Sequence, residues 1–211
     1  ALSMLVRSIE RAGLEPGRQV AISLDIAASE FGSGGRYRLA RDDRDLDSDG
    51  LIEVLLGWIE TYPIVSIEDP LGEDDPDGFA RFSKAVGNRV QVIGDDLLVT
   101  SAERVLQAAE HRHCNALLVK PNQAGTLSET KAAFDAARSA GFGAVVSARS
   151  GETEDVTMVH LAVGWGAPQM KVGSFARSER MAKWNEGLRI ADELGGRGAL
   201  FPPDAFPWGA A

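Results

Sequence analysis

The sequence predicts an α/β fold, namely a β/α barrel in which parallel strands alternate with helices. Six apolar runs are separated by segments with helical spacing, and the residues that mark the ends of the runs are 43, 27, 25, 28 and 23 residues apart. After the first step, these distances are typical of successive βα units, whose right-handed crossovers place all strand ends on one face. An open Rossmann sheet is the alternative architecture, although no GxGxxG turn follows the first strand.

The first segments predict a helix, a strand and a connection. Apolar residues recur at helical spacing over residues 2–9, and a glycine then ends the helix. An apolar strand over residues 20–26 carries Asp25 near its end, where an acid requires a partner. Residues 32–50 are rich in Gly, Asp, Arg and Ser, and they predict an exposed connection with a short hairpin arm at 37–39.

The middle of the chain repeats a helix–strand unit three times. A proline ends the first helix, Pro76 occupies the first turn of the second, and Ser101 caps the third. The predicted helices cover residues 48–61, 76–86 and 101–111. The predicted strands cover residues 64–67, 90–93 and 116–119, and they lead to Glu68, Asp95 and Lys120.

The last part of the chain predicts two further strands and three helices. Glycines bound the first of these helices, and amphipathic spacing predicts the other two. The helices cover residues 125–140, 154–161 and 177–194. The strands cover residues 144–146 and 169–172. Residues 1–194 therefore form the predicted barrel portion, whereas the tail, residues 195–211, has no periodicity and stays unassigned.

Composition predicts a soluble, cytoplasmic protein with one sizeable core. The chain has 211 residues, 44% of them apolar, and shows neither an apolar run of membrane-spanning length nor a signal-peptide pattern. A net charge of −9 without a Lys/Arg cluster disfavours nucleic-acid binding. The single cysteine, Cys114, fits a reducing compartment, and ordinary packing is its expected role.

Residues 115–123 (NALLVKPNQ) place one lysine at the end of a buried strand. The apolar run ends at Lys120, and Pro121 then stops the strand. Burial disfavours the charged ammonium, and a neutral amine at this place is a candidate general base. The alternative is an ordinary lysine whose amine extends to solvent at the rim of the sheet.

Three carboxylates, Asp25, Glu68 and Asp95, mark the ends of successive strands. In one cleft these charges repel one another, and a hard divalent cation relieves the repulsion. Ligand sets made only of oxygen favour Mg²⁺ over zinc or copper. The alternative is that each acid pairs separately with a surface lysine or caps a helix.

A second lysine and an anion-binding loop complete the predicted site. Lys171 is expected beside Lys120, where mutual repulsion lowers the pKa of one amine into the range of a base that works near neutral pH. Arg149 and Ser150 precede a glycine and a helix N-terminus, which suits a phosphate clamp, although a solvated loop fits the same residues. Base, Mg²⁺ and clamp together indicate proton abstraction next to a carboxylate.

Six ordered strings resemble the carboxy-terminal barrel portion of the enolase family: SLDIAASEF, SIEDPLGEDD, GDDLLVT, LLVKPNQAGTLSET, SARSGETED and QMKVGS with ARSERMAKWNEGLRI. The resemblance covers about residues 1–194 and implies a TIM-type barrel of the enolase superfamily. It implies a carbon–oxygen lyase of glycolysis that reversibly dehydrates 2-phosphoglycerate to phosphoenolpyruvate with Mg²⁺.

The same resemblance implies a role for each candidate residue. Lys120 removes the C2 proton, and Lys171 steadies the substrate carboxylate. The implied Mg²⁺ ligands are Asp25, Glu68 and Asp95, and the implied phosphate-binding residues are Arg149 and Ser150.

Two departures from the family pattern affect these expectations. Ala148 stands where the family string S-H-R-S-G-E-T-E-D has histidine. The family has two further barrel strands and a preceding α+β domain, which carry acid–base glutamates and a serine loop. These parts have no counterpart in this sequence. Six of eight strands are therefore expected to leave the barrel open. The segment is therefore expected to be inactive alone and to need a missing N-terminal portion or a partner chain, in a homodimer or larger assembly.

Two other readings remain open. One is a diverged paralogue that acts on another phosphorylated acid, because loss of the histidine at position 148 enlarges the pocket beside the reacting carbon. The other is a catalytically inactive, enolase-like fragment that serves as a scaffold or binding surface.

Overall fold

The computed structural model describes residues 1–195, which form nine strands and eight α-helices. The strands are β1 (Ile22–Asp25), β2 (Gly32–Ser33), β3 (Arg36–Leu39), β4 (Arg44–Asp47), β5 (Ile64–Glu68), β6 (Gln91–Gly94), β7 (Ala116–Val119), β8 (Gly143–Ser147) and β9 (Gln169–Lys171). The helices are α1 (Leu2–Arg11), α2 (Ser48–Thr61), α3 (Pro76–Val86), α4 (Ala102–His111), α5 (Pro121–Ala124), α6 (Leu127–Ser139), α7 (Thr157–Trp165) and α8 (Ser178–Leu194). Apart from Gly195, the unassigned tail lies outside the described residues.

The main element is a six-stranded sheet in the order β1-β5-β6-β7-β8-β9, and all its neighbouring strands are parallel. The sheet is curled, because Lys171 on one edge strand lies 2.7 Å from Asp25 on the opposite edge strand. The fold is an incomplete α/β barrel with six strands, which confirms the predicted fold class and excludes the open Rossmann alternative. Each predicted strand of this sheet is present, with bounds that differ by at most two residues.

The two faces of the curled sheet carry different side chains. Residues on the outer face pack against the helices and belong to the main core, among them Ile67, Val92, Leu117 and Val146. The inner face has a separate small apolar cluster made of Ile93, Ala116, Leu118 and Val145. Because side chains alternate along a strand, the residue two positions beyond each inner apolar residue also points inward. This alternation brings Asp95, Lys120 and Ser147 to the inner face, at the carboxyl ends of their strands.

Four of the eight described helices begin at a capping side chain. Asp47 accepts from the Gly50 N–H at the start of α2, and Asp75 accepts from the Gly78 N–H at the start of α3. Ser101 caps α4 as predicted, and Thr126 caps α6. These caps fix where each helix leaves the strand-end loops. Within residues 1–195, no helix combines the length and the apolar composition that a membrane crossing requires.

The segment predicted as an exposed connection with a short hairpin arm at 37–39 is a small antiparallel sheet of β2, β3 and β4, and the predicted arm corresponds to β3. Its Tyr37 is 2% exposed, accepts from the Gly72 N–H at 2.9 Å and donates to Asp75 at 3.0 Å. The two other strands were not predicted, because they are only two and four residues long and polar residues or glycine fill most of them. The sheet holds the loop that follows β5.

Cys114 lies in the main core and is 4% exposed. Burial raises the pKa of its thiol to about 12, so the thiolate is rare at neutral pH. Its environment agrees with the predicted packing role.

Candidate active site

The carboxyl ends of the strands surround one cleft of about 570 Å³. Six of the seven predicted site residues line it, together with Ala148: Asp25, Asp95, Lys120, Arg149, Ser150 and Lys171. The seventh, Glu68, is 3% exposed and reaches the cleft through a hydrogen bond with Lys171. Positions that lie up to 146 residues apart in sequence therefore meet at one place.

Lys171 joins the two edges of the sheet. Its Nζ donates to Asp25 Oδ2 at 2.7 Å and to the two carboxylate oxygens of Glu68 at 2.8 and 2.9 Å. Asp25 lies at the end of β1 and Glu68 at the end of β5, whereas Lys171 comes from β9. Two predicted acids thus converge on a single positive charge.

The surroundings of Glu68 and Lys171 shift the pKa of both groups upward. Burial raises the pKa of Glu68 to about 7; Lys171 opposes that shift, and the charges of Asp25 and Asp95 add to it. Burial alone lowers the pKa of Lys171, but its hydrogen bonds to Asp25 and Glu68 outweigh burial and raise it above the ordinary value. Burial dominates for Glu68 because its side chain is 5% exposed, against 41% for Lys171.

The lowered pKa that was predicted for one of the two lysines is therefore not found at Lys171. Each amine lies against carboxylates, because Lys171 pairs with Asp25 and Glu68, and Lys120 pairs with Asp95. The two lysines were predicted to lie beside each other in the cleft, whereas the curl of the sheet brings acids next to both.

Lys120 is 9% exposed and lies in a hydrogen-bonded group. Its Nζ donates to one oxygen of Asp95, and Gln123 Nε2 donates to the other at 3.0 Å. Thr100 contacts both Gln123 and Lys120. Its hydroxyl donates to Gln123 Oε1 at 2.8 Å and accepts from the Lys120 backbone N–H at 3.0 Å. Val99 and Thr100 both have positive φ angles, 42° and 52°, which are unfavourable for β-branched residues. The loop after β6 accepts this strain where it supports Lys120.

Asp69 braces the loop that carries Asp95. Its two carboxylate oxygens accept from the N–H groups of Asp95 and Asp96, at 2.9 and 2.8 Å. Asp69 is 4% exposed and has a φ of 39°. Burial raises the pKa of Asp69 to about 7, although the two N–H donors lower it. Its carboxylate links the ends of β5 and β6.

Two sets of acids in this region have the chemistry of a metal site. The predicted set is Asp25, Glu68 and Asp95, but within residues 1–195 its carboxylate oxygens do not lie as close together as those of the second set. A second set, Asp69, Asp95 and Asp96, has carboxylate oxygens that all lie within 4.8 Å of one another. Both sets offer only carboxylate oxygens, and Glu68, Asp69 and Asp95 are buried. Such oxygen-only donors fit a hard divalent cation such as Mg²⁺.

The loop after β8 borders the same cleft. Arg149 and Ser150 are exposed, and Ala148 is half-buried beside them. The N–H of Arg149 donates to Glu152 Oε1 at 2.8 Å. Arg149 and Ser150 therefore border the cleft, with Lys171 on the neighbouring strand.

The residues that hold the site together were not predicted from the sequence. Asp69 directly follows Glu68, and a second acid at a strand end was a usable signal. Thr100 and Gln123 carried no signal, because a polar residue in a loop or a first helical turn is common. Arg180 and Lys183, which contact the loop after β8, fall within an ordinary amphipathic helix pattern.

Comparisons with known proteins agree with this architecture. The family model described as "Enolase, C-terminal TIM barrel domain" matches residues 1–203. "Enolase 1" of Methylococcus capsulatus is 48% identical over 196 residues, which are 92% of this chain and 47% of the relative. "Enolase 2" of Pseudomonas syringae pv. syringae is 43% identical over 206 residues, which are 98% of this chain and 48% of the relative.

The chain thus spans about half the length of the curated relatives that it matches. The family match covers nearly the whole chain and coincides with the barrel and its cleft. This chain belongs to the enolase family, within its C-terminal TIM barrel domain.

Proposed function

We propose that this chain carries the base, the metal ligands and the phosphate clamp of an enolase-type lyase. The reaction is the Mg²⁺-dependent, reversible dehydration of 2-phosphoglycerate to phosphoenolpyruvate, a cytoplasmic step of glycolysis. One observation carries the proposal: the ends of β1 and β5 to β9 bring three acids, two lysines and the Arg149–Ser150 loop to a single cleft. The names of the relatives support the same class of reaction.

In the proposed reaction, Lys120 accepts the proton from C2 of the substrate. Its amine is held at a strand end by the group that includes Asp95, Thr100 and Gln123, so it approaches the substrate from a fixed direction. The electron pair of the broken C–H bond moves toward the substrate carboxylate, where Lys171 supplies positive charge. Arg149 and Ser150 hold the phosphate at the other end of the cleft.

We propose Asp25, Glu68 and Asp95 as the Mg²⁺ ligands. Asp69 accepts the backbone N–H groups of Asp95 and Asp96, and we propose for it a bracing role in the loop that carries Asp95. The lone pairs of Asp25 and Glu68, in contrast, point at a cation, the ammonium of Lys171. Mg²⁺, when bound there, supplies positive charge beside the substrate carboxylate.

We propose no residue of this chain as the acid that protonates the leaving hydroxyl at C3. We place it in a further portion of the protein or in a partner chain, which also completes the barrel between β1 and β9. The length of the relatives supports this division, and a homodimer or larger assembly of the complete protein is part of the proposal.

The complete protein is expected to form phosphoenolpyruvate from 2-phosphoglycerate when Mg²⁺ is present. The 211-residue chain alone is expected to be slower by at least about 10²-fold, because it lacks one acid–base group. Both rates are measured by the ultraviolet absorbance of phosphoenolpyruvate. If the complete protein shows no turnover with Mg²⁺, the proposed reaction is wrong, and a scaffold or binding role takes its place.

Ala148 favours a second candidate function, the same proton abstraction on a bulkier phosphorylated acid. A methyl group at this position leaves space in the cleft beside Lys171 that an imidazole would fill. The wild-type protein is then expected to accept an acid with an added group at C3.

Replacing Ala148→His distinguishes the two candidates. We expect this variant to process 2-phosphoglycerate about tenfold faster and the bulkier acid more slowly, because the imidazole adds a polar group and fills space. The measurement is kcat/KM for both substrates, with Ala12→His, at an exposed turn, as the control. Unchanged values for both substrates would show that position 148 does not face the reacting carbon.

A further inference from the structure

We infer that Arg180, assisted by Lys183, is a positioning residue that shapes the anion-binding loop after β8. Neither side chain belongs to the proposed catalytic set, and they lie one turn apart on α8. The inference rests on the proposed function, because it assigns a support to the clamp formed by Arg149 and Ser150.

Arg180 binds three backbone carbonyl groups with one guanidinium. Its Nη1 donates to Arg149 O at 2.9 Å and to Val172 O at 3.1 Å, and its Nη2 donates to Ser150 O at 3.1 Å. Arg149 and Ser150 follow β8, whereas Val172 follows β9. The side chain is 12% exposed, so the guanidinium is fixed between the two loops.

These three contacts orient the opposite side of each peptide group. In a trans peptide, the N–H points away from the C=O of the preceding residue, and the described residues contain no cis peptide. Holding the carbonyls of Arg149, Ser150 and Val172 therefore turns the N–H groups of Ser150, Gly151 and Gly173 away from α8. Within residues 1–195, these three N–H groups have no hydrogen-bond acceptor. Free N–H groups that face the same way form an anion-binding concavity.

Lys183 fixes the next part of the same loop. It is fully buried, and its Nζ donates to Thr153 O at 2.6 Å and to Glu152 Oε2 at 2.8 Å. The other oxygen of Glu152 accepts from the Arg149 N–H at 2.8 Å. The ammonium thus reaches the first residue of the clamp through one carboxylate. A buried lysine with this pairing is costly to remove, which marks the loop as a constrained element.

Gly173 supplies the close approach that Arg180 needs. A Cβ at this position would lie 2.9 Å from Arg180 Cδ and 3.1 Å from its Nε. The φ of Gly173 is +109°, which is also unfavourable for other residues. The loop after β9 is therefore shaped around the Arg180 side chain.

Arg180→Met tests the inference, because methionine fills similar space without the donors. The complete protein is titrated with inorganic phosphate and separately with Mg²⁺, and the amide NMR signals of Ser150 and Gly151 are followed during the phosphate titration. We expect about tenfold weaker phosphate binding, a higher KM with a smaller change in kcat, and unchanged Mg²⁺ binding. The control is Arg189→Met on the same helix, because the Arg189 side chain is 64% exposed and pairs with Glu186.

The inference is overturned if Arg180→Met binds phosphate as tightly as the wild type, or if phosphate and Mg²⁺ binding fall together. If the methionine variant does not fold, Arg180→Lys is the substitute, because lysine keeps the positive charge but cannot donate to several carbonyl groups from one planar guanidinium. Intermediate phosphate affinity of this variant supports the inference, and wild-type affinity overturns it. Phosphate binding needs no turnover. A protein without lyase activity that shows the expected affinities therefore removes the proposed reaction and retains the role of Arg180.

Discussion

Replacing Lys120→Met is expected to lower kcat for phosphoenolpyruvate formation by about 10²- to 10⁴-fold in the complete protein, the usual cost of losing one acid–base group. Methionine retains the unbranched side chain but has no amine to accept the C2 proton. Asp95 loses its ammonium partner in the variant, while Gln123 still donates to its other oxygen. The thermal midpoint is therefore measured beside the rate, so that unfolding is not read as loss of the base.

Lys131→Met is the matched control for this prediction. Lys131 lies on α6, is 40% exposed and pairs with Asp135 one turn away, so its loss is expected to leave kcat unchanged. If Lys120→Met remains folded and retains more than about a tenth of the wild-type rate, Lys120 is not the base.

Replacing Glu68→Gln is expected to weaken Mg²⁺ binding by at least about 100-fold. Loss of a residue that only supports a metal ligand commonly costs about 10- to 100-fold in affinity, and we propose Glu68 as a ligand itself. The amide keeps the shape of the side chain but removes its negative charge. Isothermal titration with Mg²⁺ measures the change.

Two further variants sharpen the test of the metal site. Glu60→Gln removes a carboxylate that is 69% exposed and pairs with Arg89 outside the cleft, and it is expected to leave the affinity unchanged. Asp69→Asn is expected to weaken binding less than Glu68→Gln, because Asp69 acts through the loop of Asp95. The reverse order of these two effects would assign the ion to Asp69, Asp95 and Asp96 instead.

The order of the strands in the large sheet could be predicted because it depends on local signals. Each of these signals, namely apolar runs, helix caps and the spacing of successive units, spans about 30 residues of sequence or fewer. The bounds of α2, for example, match the predicted 48–61 because Asp47 caps its start and Pro63 follows its end. Only one arm of the small sheet was predicted, and its packing was not, because Tyr37 meets Asp75, 38 residues away.

The convergence of the site residues on one cleft could be predicted, whereas the pairing of their charges could not. Acids and lysines at strand ends can be recognised in the sequence, because each interrupts or ends an apolar run. Which lysine meets which acid depends on the curl of the sheet, which brings Lys171 to Asp25 across 146 residues. The role of Arg180 could not be predicted either, because its partners are backbone carbonyl groups, which every residue has.

A crystal structure of the complete protein with Mn²⁺, located by its anomalous scattering as a substitute for Mg²⁺, tests the central claim most directly. We expect one ion that takes a carboxylate oxygen from each of Asp25, Glu68 and Asp95, at about 2.1 Å, the distance of an octahedral Mg²⁺ site. An ion held by Asp69, Asp95 and Asp96, or no ion within reach of Asp25 and Glu68, would contradict the account.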